Sequence, residues 1–509
     1  MKRSHYGVGI DFGTTNSVVS FYDGFLKKND PLTNKETNLP HPSVVWYRAD
    51  GSVIVGLEAK RNIMGFSNVE GNAFVSSVKR RLGKKESMDI MGEKLALREV
   101  AAEIFKFLRM DAESRSPEYK VNEAIVTIPI YFDGRARREL RKAADIAGIF
   151  IRNFVHEPFA AIVGYCHREE SGLQIENMQK QIILVFDWGG GTLDITLVEV
   201  MDNGLVELST GSIPDRAGDH FDDKLARFCK SNLLDRLAIS QEGYSFPPSN
   251  MGRLYTECER AKISLSSKTE ERVEVADICK YKDQYQDMGV SVSRNDFNAL
   301  ISDDINDAIN EVLKTLENAN VTVREVDQVL LIGGSSRIPL VRQGLREMFG
   351  HRIAEVKNAN TIIAEGAAII DAEGLQPVLA RPLNVELADE TLYEVFGSGF
   401  VANSNVCRKK IHLFCTDNRD GEAKLVLKEL AGRIAFTRRV TKEVLSIPVS
   451  SELPQPYEHE RVTVEFALDD DMVLHVSGKG ATQSNGSNCQ IYDLCFGLRL
   501  WRERNEVES

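Results

Sequence analysis

The sequence predicts a mixed α/β protein in which two related lobes face one cleft, followed by a smaller domain of β-strands. Three observations carry that expectation. Short β-like runs alternate with helical patterns up to about residue 372. One strand–turn–strand motif occurs twice, as GIDFGTTNS from Gly9 and as FDWGGGTLD from Phe186. Beyond residue 383 the apolar residues switch to a period of two, the mark of half-buried strands.

Taken in order, Glu123 to Ile128, Ile182 to Phe186 and Gln328 to Ile332 read as strands. Leu97 to Asp111, Arg135 to Gly148, Pro158 to Cys166 and Asn295 to Asn318 carry apolar residues three and four apart and read as helices covering the sheets. This part spans residues 1–372. Residues 373–383 contain Pro377 and Pro382 and no sustained period, so they read as a linker. In residues 384–500, Lys410 to Phe414, Glu422 to Lys428, Val462 to Leu468 and Met472 to Val476 alternate apolar and polar, with turn signals DNRDG, LPQP and DDD between them. SNGSN at 484–488 reads as a loop, and 501–509 as a tail with no helical pattern.

At 509 residues the chain is long enough for two or three domains, and 42% hydrophobic with 27% charged residues is ordinary for a globular protein. A net charge of -12 argues against nucleic acid or an anionic membrane as the main partner. The eight cysteines, at 166, 229, 258, 279, 407, 415, 489 and 495, show no CxxC pair or metal-ligand spacing, which suits free thiols in a reducing cytoplasm. The apolar stretch of MKRSHYGVGID stops at Asp11, too soon for a signal peptide, and no later run approaches the ~20 apolar residues of a membrane helix.

The repeated turns are suited to phosphate. In Asp11-Phe12-Gly13-Thr14-Thr15-Asn16, glycine lets the backbone approach closely, successive N–H groups form an anion-binding concavity, and threonine hydroxyls add donors. Gly189-Gly190-Gly191-Thr192 offers the same chemistry with less bulk. Asp11, Asp187 and Asp194 flank the turns and would repel a polyphosphate unless hydrated magnesium lay between them. A single such turn is an ordinary hairpin; two copies with matched acids point to nucleotide plus magnesium. A third glycine turn, Gly333-Gly334-Ser335-Ser336-Arg337, leads from a strand to a helix and reads either as a ligand seat or as a plain β–α connection. Gly7, Gly9 and Gly13 miss the dinucleotide fingerprint by one residue, and neither a GxxxxGK[ST] loop nor a GxSxG elbow is present. The nine histidines form no HExxH cluster.

Six motifs, GIDFGTTNS, VTIPIYFDGRARR from Val126, HEPFAA from His156, FDWGGGTLD, ERAKISLSS from Glu259 and LIGGSSRIP from Leu331, occur in the order and approximate spacing of the seventy-kilodalton heat-shock chaperones. The chain resembles that family over residues 5 to 372, and in pattern only beyond them. The resemblance implies an actin-like two-lobed ATPase, a duplicated ribonuclease-H-like domain, followed by a β-sandwich-like domain. It implies that Gly13, Thr14, Thr15 and Asn16, with Gly189, Gly190 and Gly191, hold the phosphates. Lys79 in SVKRRLG would orient the attacking water, although by composition alone Lys79, Arg80, Arg81, Lys84 and Lys85 read as a solvated basic face. Glu157 would contact the water shell of the metal or the nucleophile; its plainer reading is an acid at a helix start followed by Pro158. Asp187 would polarise water, Thr192 would lie near the γ-phosphate, and Asp11, Asp187 and Asp194 near magnesium, with potassium as a further ion. Pro129 and Arg137 match a pair that reports nucleotide state, and Glu259, Lys262, Ser266, Gly333, Gly334, Ser335 and Arg337 would hold the adenosine.

The departures are specific. Ile263 stands where an arginine usually stacks on adenine, and Asn360 and Thr361 stand where an acidic pair is usual. Val378, Leu379 and Arg381 replace an acid-bounded leucine string, and no helical lid pattern follows the β domain. The resulting expectation is a magnesium-dependent ATP-hydrolysing chaperone for unfolded or extended apolar peptides, served by a J-domain co-chaperone and a nucleotide-exchange factor. Leu425 and Leu427 read either as lining a peptide pocket or as part of a solvated strand. The alternatives are a nucleotide switch or adaptor for one dedicated partner and a sugar kinase of the same fold; a filament-forming actin relative leaves the β domain without a role.

Overall fold

The computed structural model describes residues 6–66, 69–84, 87–168, 177–201, 204–240, 246–354, 356–401, 407–431, 438–452 and 459–500. Lys85, the LPQP turn signal at 453–456 and the tail 501–509 lie outside them, as does the side chain of Cys407.

The two motif copies fold alike. Tyr6–Phe12 and Asn16–Asp23 form an antiparallel hairpin with Asp11 opposite Val18. Ile182–Trp188 and Thr192–Met201 form another, with Asp187 opposite Asp194. Each first strand also pairs in parallel with a later one, Glu123–Ile128 in the first lobe and Gln328–Ile332 in the second. Parallel neighbours Phe150–His156 and Ile353–Ala354 complete the same order in both sheets. The duplication legible in two short motifs therefore extends through both sheets.

The lobes meet through two helices, Glu157–Cys166 and Ile362–Glu373. They cross so closely that a Cβ on Gly366 would lie 1.8 Å from the Ala160 carbonyl oxygen, and one on Gly164 would lie 2.6 Å from that of Ile362. Ile362–Glu373 also lies against the first strand, where a Cβ on Gly7 would meet the Ala368 carbonyl at 2.1 Å and one on Gly9 that of Ala364 at 2.3 Å. Gly7 and Gly9 thus serve helix packing, which accounts for their near miss of a dinucleotide fingerprint. Asp371 ties the same helix down, accepting the Val8 N–H at 2.8 Å and pairing with Arg152 at 2.7 Å.

Helices Leu97–Arg115, Gly134–Ile146 and Arg294–Asn318 occupy the predicted stretches, the first running one turn further. The C-terminal region forms two four-stranded antiparallel sheets. One is ordered Leu392–Phe396, Leu383–Glu386, Glu422–Ala431, Arg438–Pro448; the other is Cys407–Cys415, Glu460–Leu468, Leu474–Gly480, Ser487–Ile491. Leu383, Val385, Leu445 and Ile447 from the first pack on Val464, Phe466, Leu474 and Val476 from the second, which makes a β-sandwich.

Four local expectations change. Leu425 and Leu427 neither line a groove nor face water, because the alternation points them between the sheets, where both are buried. The strand expected from Met472 starts at Leu474, since the Asp469 carboxylate accepts the N–H groups of Asp471 and Val473 and prolongs the turn. SNGSN contributes its last two residues to the strand Ser487–Ile491. Residues 373–383, without a period of their own, contain the strand Gln376–Leu379.

Helix propensity alone says that Gly366→Ala should stabilise the protein by about 1 kcal/mol. The backbone contact at Ala160 leaves no room for the methyl group, so the variant should instead lose roughly 2–3 kcal/mol. The guanidinium midpoint measures the sign.

Candidate functional site

In the first lobe, Gly13 closes the turn after Asp11. A Cβ there would meet the Asn16 carbonyl oxygen at 1.9 Å, so the chain doubles back only with glycine, and the Gly13 N–H donates to Ser17 Oγ at 3.1 Å. Thr127 Oγ1, from the parallel strand, donates to Asp11 at 3.0 Å. In the second lobe, the Gly189 N–H donates to the Thr192 carbonyl at 3.1 Å, and the Gly189 carbonyl accepts from the Gly218 N–H at 3.2 Å and from Ser335 Oγ at 2.9 Å. The Asp219 N–H donates to the Gly190 carbonyl at 2.8 Å. The start of helix Gly218–Arg236 and the turn Ser335–Arg337 thereby brace the second phosphate-type turn.

The two turns face one another. A Cβ on Gly190 would lie 2.9 Å from Thr15 Cγ2, and one on Gly191 would lie 3.2 Å from Thr15 Oγ1. Thr14 and Asn16 belong to the same first-lobe turn as Thr15. Gly333, at φ 77°, runs beside the second-lobe acid, with the Asp187 carboxylate 2.6 Å from where its Cβ would be.

At the floor of the cleft Lys79 is buried and pairs with Glu157 at 2.5 Å. The solvated-face reading of the basic run is therefore corrected: Lys79 points inward while Lys84 is exposed. Arg80 crosses to the other lobe, donating to the Gly191 carbonyl and pairing with Asp215. Glu157 is the acid at the start of helix Glu157–Cys166 ahead of Pro158, as its plainer reading had it, and it also pairs with Lys79, which the sequence did not indicate. A narrow cavity lined by Pro129, Tyr131, Glu157, Asp187 and Asp194 opens beside it.

Four carboxylates share this floor. Burial, then Glu157, pushes Asp11 up to about 6, with Lys79 and the Thr127 hydroxyl working the other way. Burial holds Asp187 well above the usual carboxylate range, reinforced by Glu157, Asp194 and Asp11. Asp194 is raised by burial and Glu157, partly offset by hydrogen bonds from Ser212 and Thr192. Crowded acids of this kind fit a hydrated divalent cation. Among the described residues no group of three or more His, Cys, Asp or Glu side chains is arranged to hold a metal ion. Behind Glu157, burial and then Arg137 push His156 down to about 3, so it stays neutral.

A second cluster lies at the other end of the cleft on helix Pro248–Leu265. Glu259 pairs across the lobes with Lys60 of helix Leu57–Phe66 at 2.8 Å. Burial favours the neutral form of Glu259, but Lys60 and Lys262 outweigh it and hold the carboxyl low. Lys262 pairs with Asp222 at 2.6 Å and donates to the Gly218 carbonyl at 2.9 Å. Gly218 links the clusters, since a Cβ on it would lie 3.0 Å from Ser335 Oγ, 3.2 Å from Lys262 Nζ and 3.3 Å from the Gly189 carbonyl. Ser266 caps the end of the helix, Gly334 faces Asn360, and Thr361 donates to Glu365 at 2.6 Å. Arg337 is exposed and Ile263 is 51% exposed, an apolar side chain left open on the helix that carries Glu259 and Lys262.

Sequence reasoning overlooked Lys60, Asp215, Gly218 and Asp222, and it took Arg80 for part of a solvated face. Only Gly218-Asp219, a glycine and an acid opening a helix, carried a local signal.

A family model described as Hsp70 protein matches residues 7–91 and 85–493. The chain belongs to the Hsp70 family, whose members are ATPases with an actin-like domain followed by a β-rich one and which typically bind ATP with magnesium and potassium. Among the described residues no helix is long and apolar enough to cross a membrane.

The acid cluster gives stability a pH dependence. Asp11 titrates at about 6 when folded against 3.8 in the unfolded chain. Its contribution is therefore fully present below about pH 4 and is lost as pH rises through about 6, when repelling charges face each other. Millimolar magnesium should relieve that repulsion, raising the melting temperature by roughly 2 °C or more at pH 7.5 and by under about 1 °C at pH 5. Equal shifts at both pH values would place the ion elsewhere.

Proposed function

We propose that this chain hydrolyses ATP to ADP and phosphate in the cleft between its lobes, and uses the cycle to act on extended apolar peptide segments. The observation that carries the reading is the buried Lys79–Glu157 pair, set among Asp11, Asp187 and Asp194 between two facing glycine turns. The proposed division is a nucleotide-binding domain over 1–372, a linker over 373–383 and a peptide-binding domain over 384–500.

In this reading the backbone N–H groups of the Gly13 and Gly189–Gly191 turns, with the hydroxyls of Thr14, Thr15 and Thr192 and the amide of Asn16, cradle the β- and γ-phosphates. Asp187 takes a proton from the attacking water; its raised proton affinity suits a base that must hold that proton briefly. The water oxygen bonds to the γ-phosphorus, the bond to the β-phosphate oxygen breaks, and ADP leaves with that electron pair. Lys79 orients the water and offsets charge on the transferred group, and Glu157 holds Lys79 in place. Asp11, Asp187 and Asp194 would hold magnesium, which would neutralise phosphate charge. Glu259, Lys262, Ser266, Gly333, Gly334, Ser335 and Arg337 are the proposed adenosine contacts. Ile263 supplies apolar contact but no cation over the base, which weakens base discrimination by on the order of 1 kcal/mol.

Asp187→Asn and Lys79→Ala should each keep nucleotide affinity within about threefold and lose at least about a hundredfold in single-turnover hydrolysis, because both serve the transition state more than the ground state. Undiminished hydrolysis in both variants would sink the assignment. A wild-type protein that binds ATP without turnover would instead be the nucleotide switch for a dedicated partner, which the altered 378–381 segment favours.

The peptide half of the proposal rests on family membership and on what the sandwich leaves outside. Its inward residues are spent on its own core, while Tyr393, Phe414 and Val444 remain exposed. Contacts on such open faces exchange quickly, so a fluorescent apolar peptide should leave within roughly seconds in both ADP and ATP. Stopped-flow release lasting many minutes in ADP and accelerated by ATP would overturn this part. J-domain and exchange-factor partners follow the same family reading.

A further inference from the structure

The sheet of the second lobe does not end with its own last strand. Gly204–Pro214 pairs antiparallel with Phe496–Arg499, setting Leu205 opposite Leu498. The other edge of Phe496–Arg499 pairs antiparallel with Gln376–Leu379, with Leu498 opposite Pro377 and Phe496 opposite Leu379. A segment from beyond the β-sandwich is thus the middle of three strands that join lobe to sandwich.

The slot is shaped for this occupant. A Cβ on Gly497 would lie 2.5 Å from the Leu205 carbonyl oxygen, and one on Gly204 would lie 2.2 Å from that of Leu498. Both obstacles are backbone and cannot swing aside, so the join needs a glycine on each side. The inserted strand buries one face in two cores: Phe496 packs within the sandwich, and Leu498 and Leu500 pack within the lobe beside Leu205, Ile369 and Ile370. Polar contacts hold the surroundings. The Ala380 N–H donates to the Cys495 carbonyl at 3.0 Å, the Cys495 N–H donates to Glu429 at 3.1 Å, and Arg499 donates to the Gly399 carbonyl at 2.5 Å. Pro377 sits in the outermost strand, where a missing donor costs least.

The first lobe holds the sandwich independently. Arg137 donates to the carbonyls of Asp471, Met472 and Tyr492, Arg138 pairs with Asp469 at 2.7 Å, and Arg141 pairs with Asp471 at 2.8 Å. Undocking would require opening the ladder between Phe496–Arg499 and the lobe strand, baring leucines to water and breaking these pairs together. We propose that Phe496–Arg499 is an intramolecular latch that keeps the β-sandwich seated on the ATPase lobes whichever nucleotide is bound, so that both halves move as one body. The nucleotide comparison within the test rests on the proposed function; the latch itself does not.

Hydrogen exchange on the full chain tests it without nucleotide, with ADP and with ATP. Amides of residues 497–499 and of Gln376, Val378 and Leu379 should exchange at least about a hundredfold more slowly than unstructured chain, and should differ by less than about threefold among the three states. Exchange about tenfold faster in any one state overturns the latch. Gly497→Val and, separately, Gly204→Val obstruct the slot from opposite sides. Each should deprotect both partner strands, raise the scattering radius of gyration and open a tryptic site at Arg499, which the docked strand holds against the Gly399 carbonyl; retained protection in both variants also overturns the proposal. Should either variant fail to fold, exchange in the wild-type chain still decides. ADP calorimetry on the same sample separates the two readings, since absence of binding counts against the ATPase while exchange without nucleotide judges the latch.

Discussion

A single buried ammonium group holds the cleft together. Lys79 stands among Asp11, Glu157, Asp187 and Asp194, which arrive from the first strand, a helix start and both strands of the second hairpin. Burial makes Asp11, Asp187 and Asp194 costly to ionise, and Lys79 offsets part of that cost for all three. Removing one partner from a buried pair typically costs about 3–5 kcal/mol, because the remaining charge stays behind. The same crowding of carboxylates makes the site receptive to a hydrated cation. Structural strain and chemical capability have one source here.

That arrangement depends on how closely the lobes approach. Helices Glu157–Cys166 and Ile362–Glu373 cross at Gly164 and Gly366 with no room for a methyl group, and Gly7 and Gly9 let the second helix lie on the first strand. Glu157 begins one of these helices, so a shift at the crossing moves the partner of Lys79 directly. Arg80 to Gly191 and Asp215, and Lys60 to Glu259, span the same gap at other levels. Any change in how the lobes approach therefore acts on the cleft through these short, named contacts.

The sandwich is joined to both lobes, to the first by the arginines of helix Gly134–Ile146 and to the second through backbone pairing. Arg137 lies on this route: it is buried and pushed down to about 10 by its surroundings, and it faces His156 on one side and the 471–472 carbonyls on the other. A nucleotide-dependent movement of Glu157 would reach the sandwich within a few residues.

The sequence alone determined the two acid-flanked glycine turns, the helices with strong three-and-four spacing and the alternating strands of the sandwich, because each depends on residues within a few positions of one another. Shared motifs likewise carried the family. Only tertiary structure decided that Lys79 is buried while Lys84 is exposed, that Leu425 and Leu427 face inward, and that Gly7 and Gly9 receive a helix. It alone decided that Gln376–Leu379 is a strand, paired with a segment about 120 residues away. A periodic pattern says that one face is apolar, but not what covers it, and backbone pairing between remote segments leaves no local period. The reason is physical: hydrogen-bond partners and close-packing neighbours are supplied by distant chain, and they exist only once the lobes and the sandwich have come together.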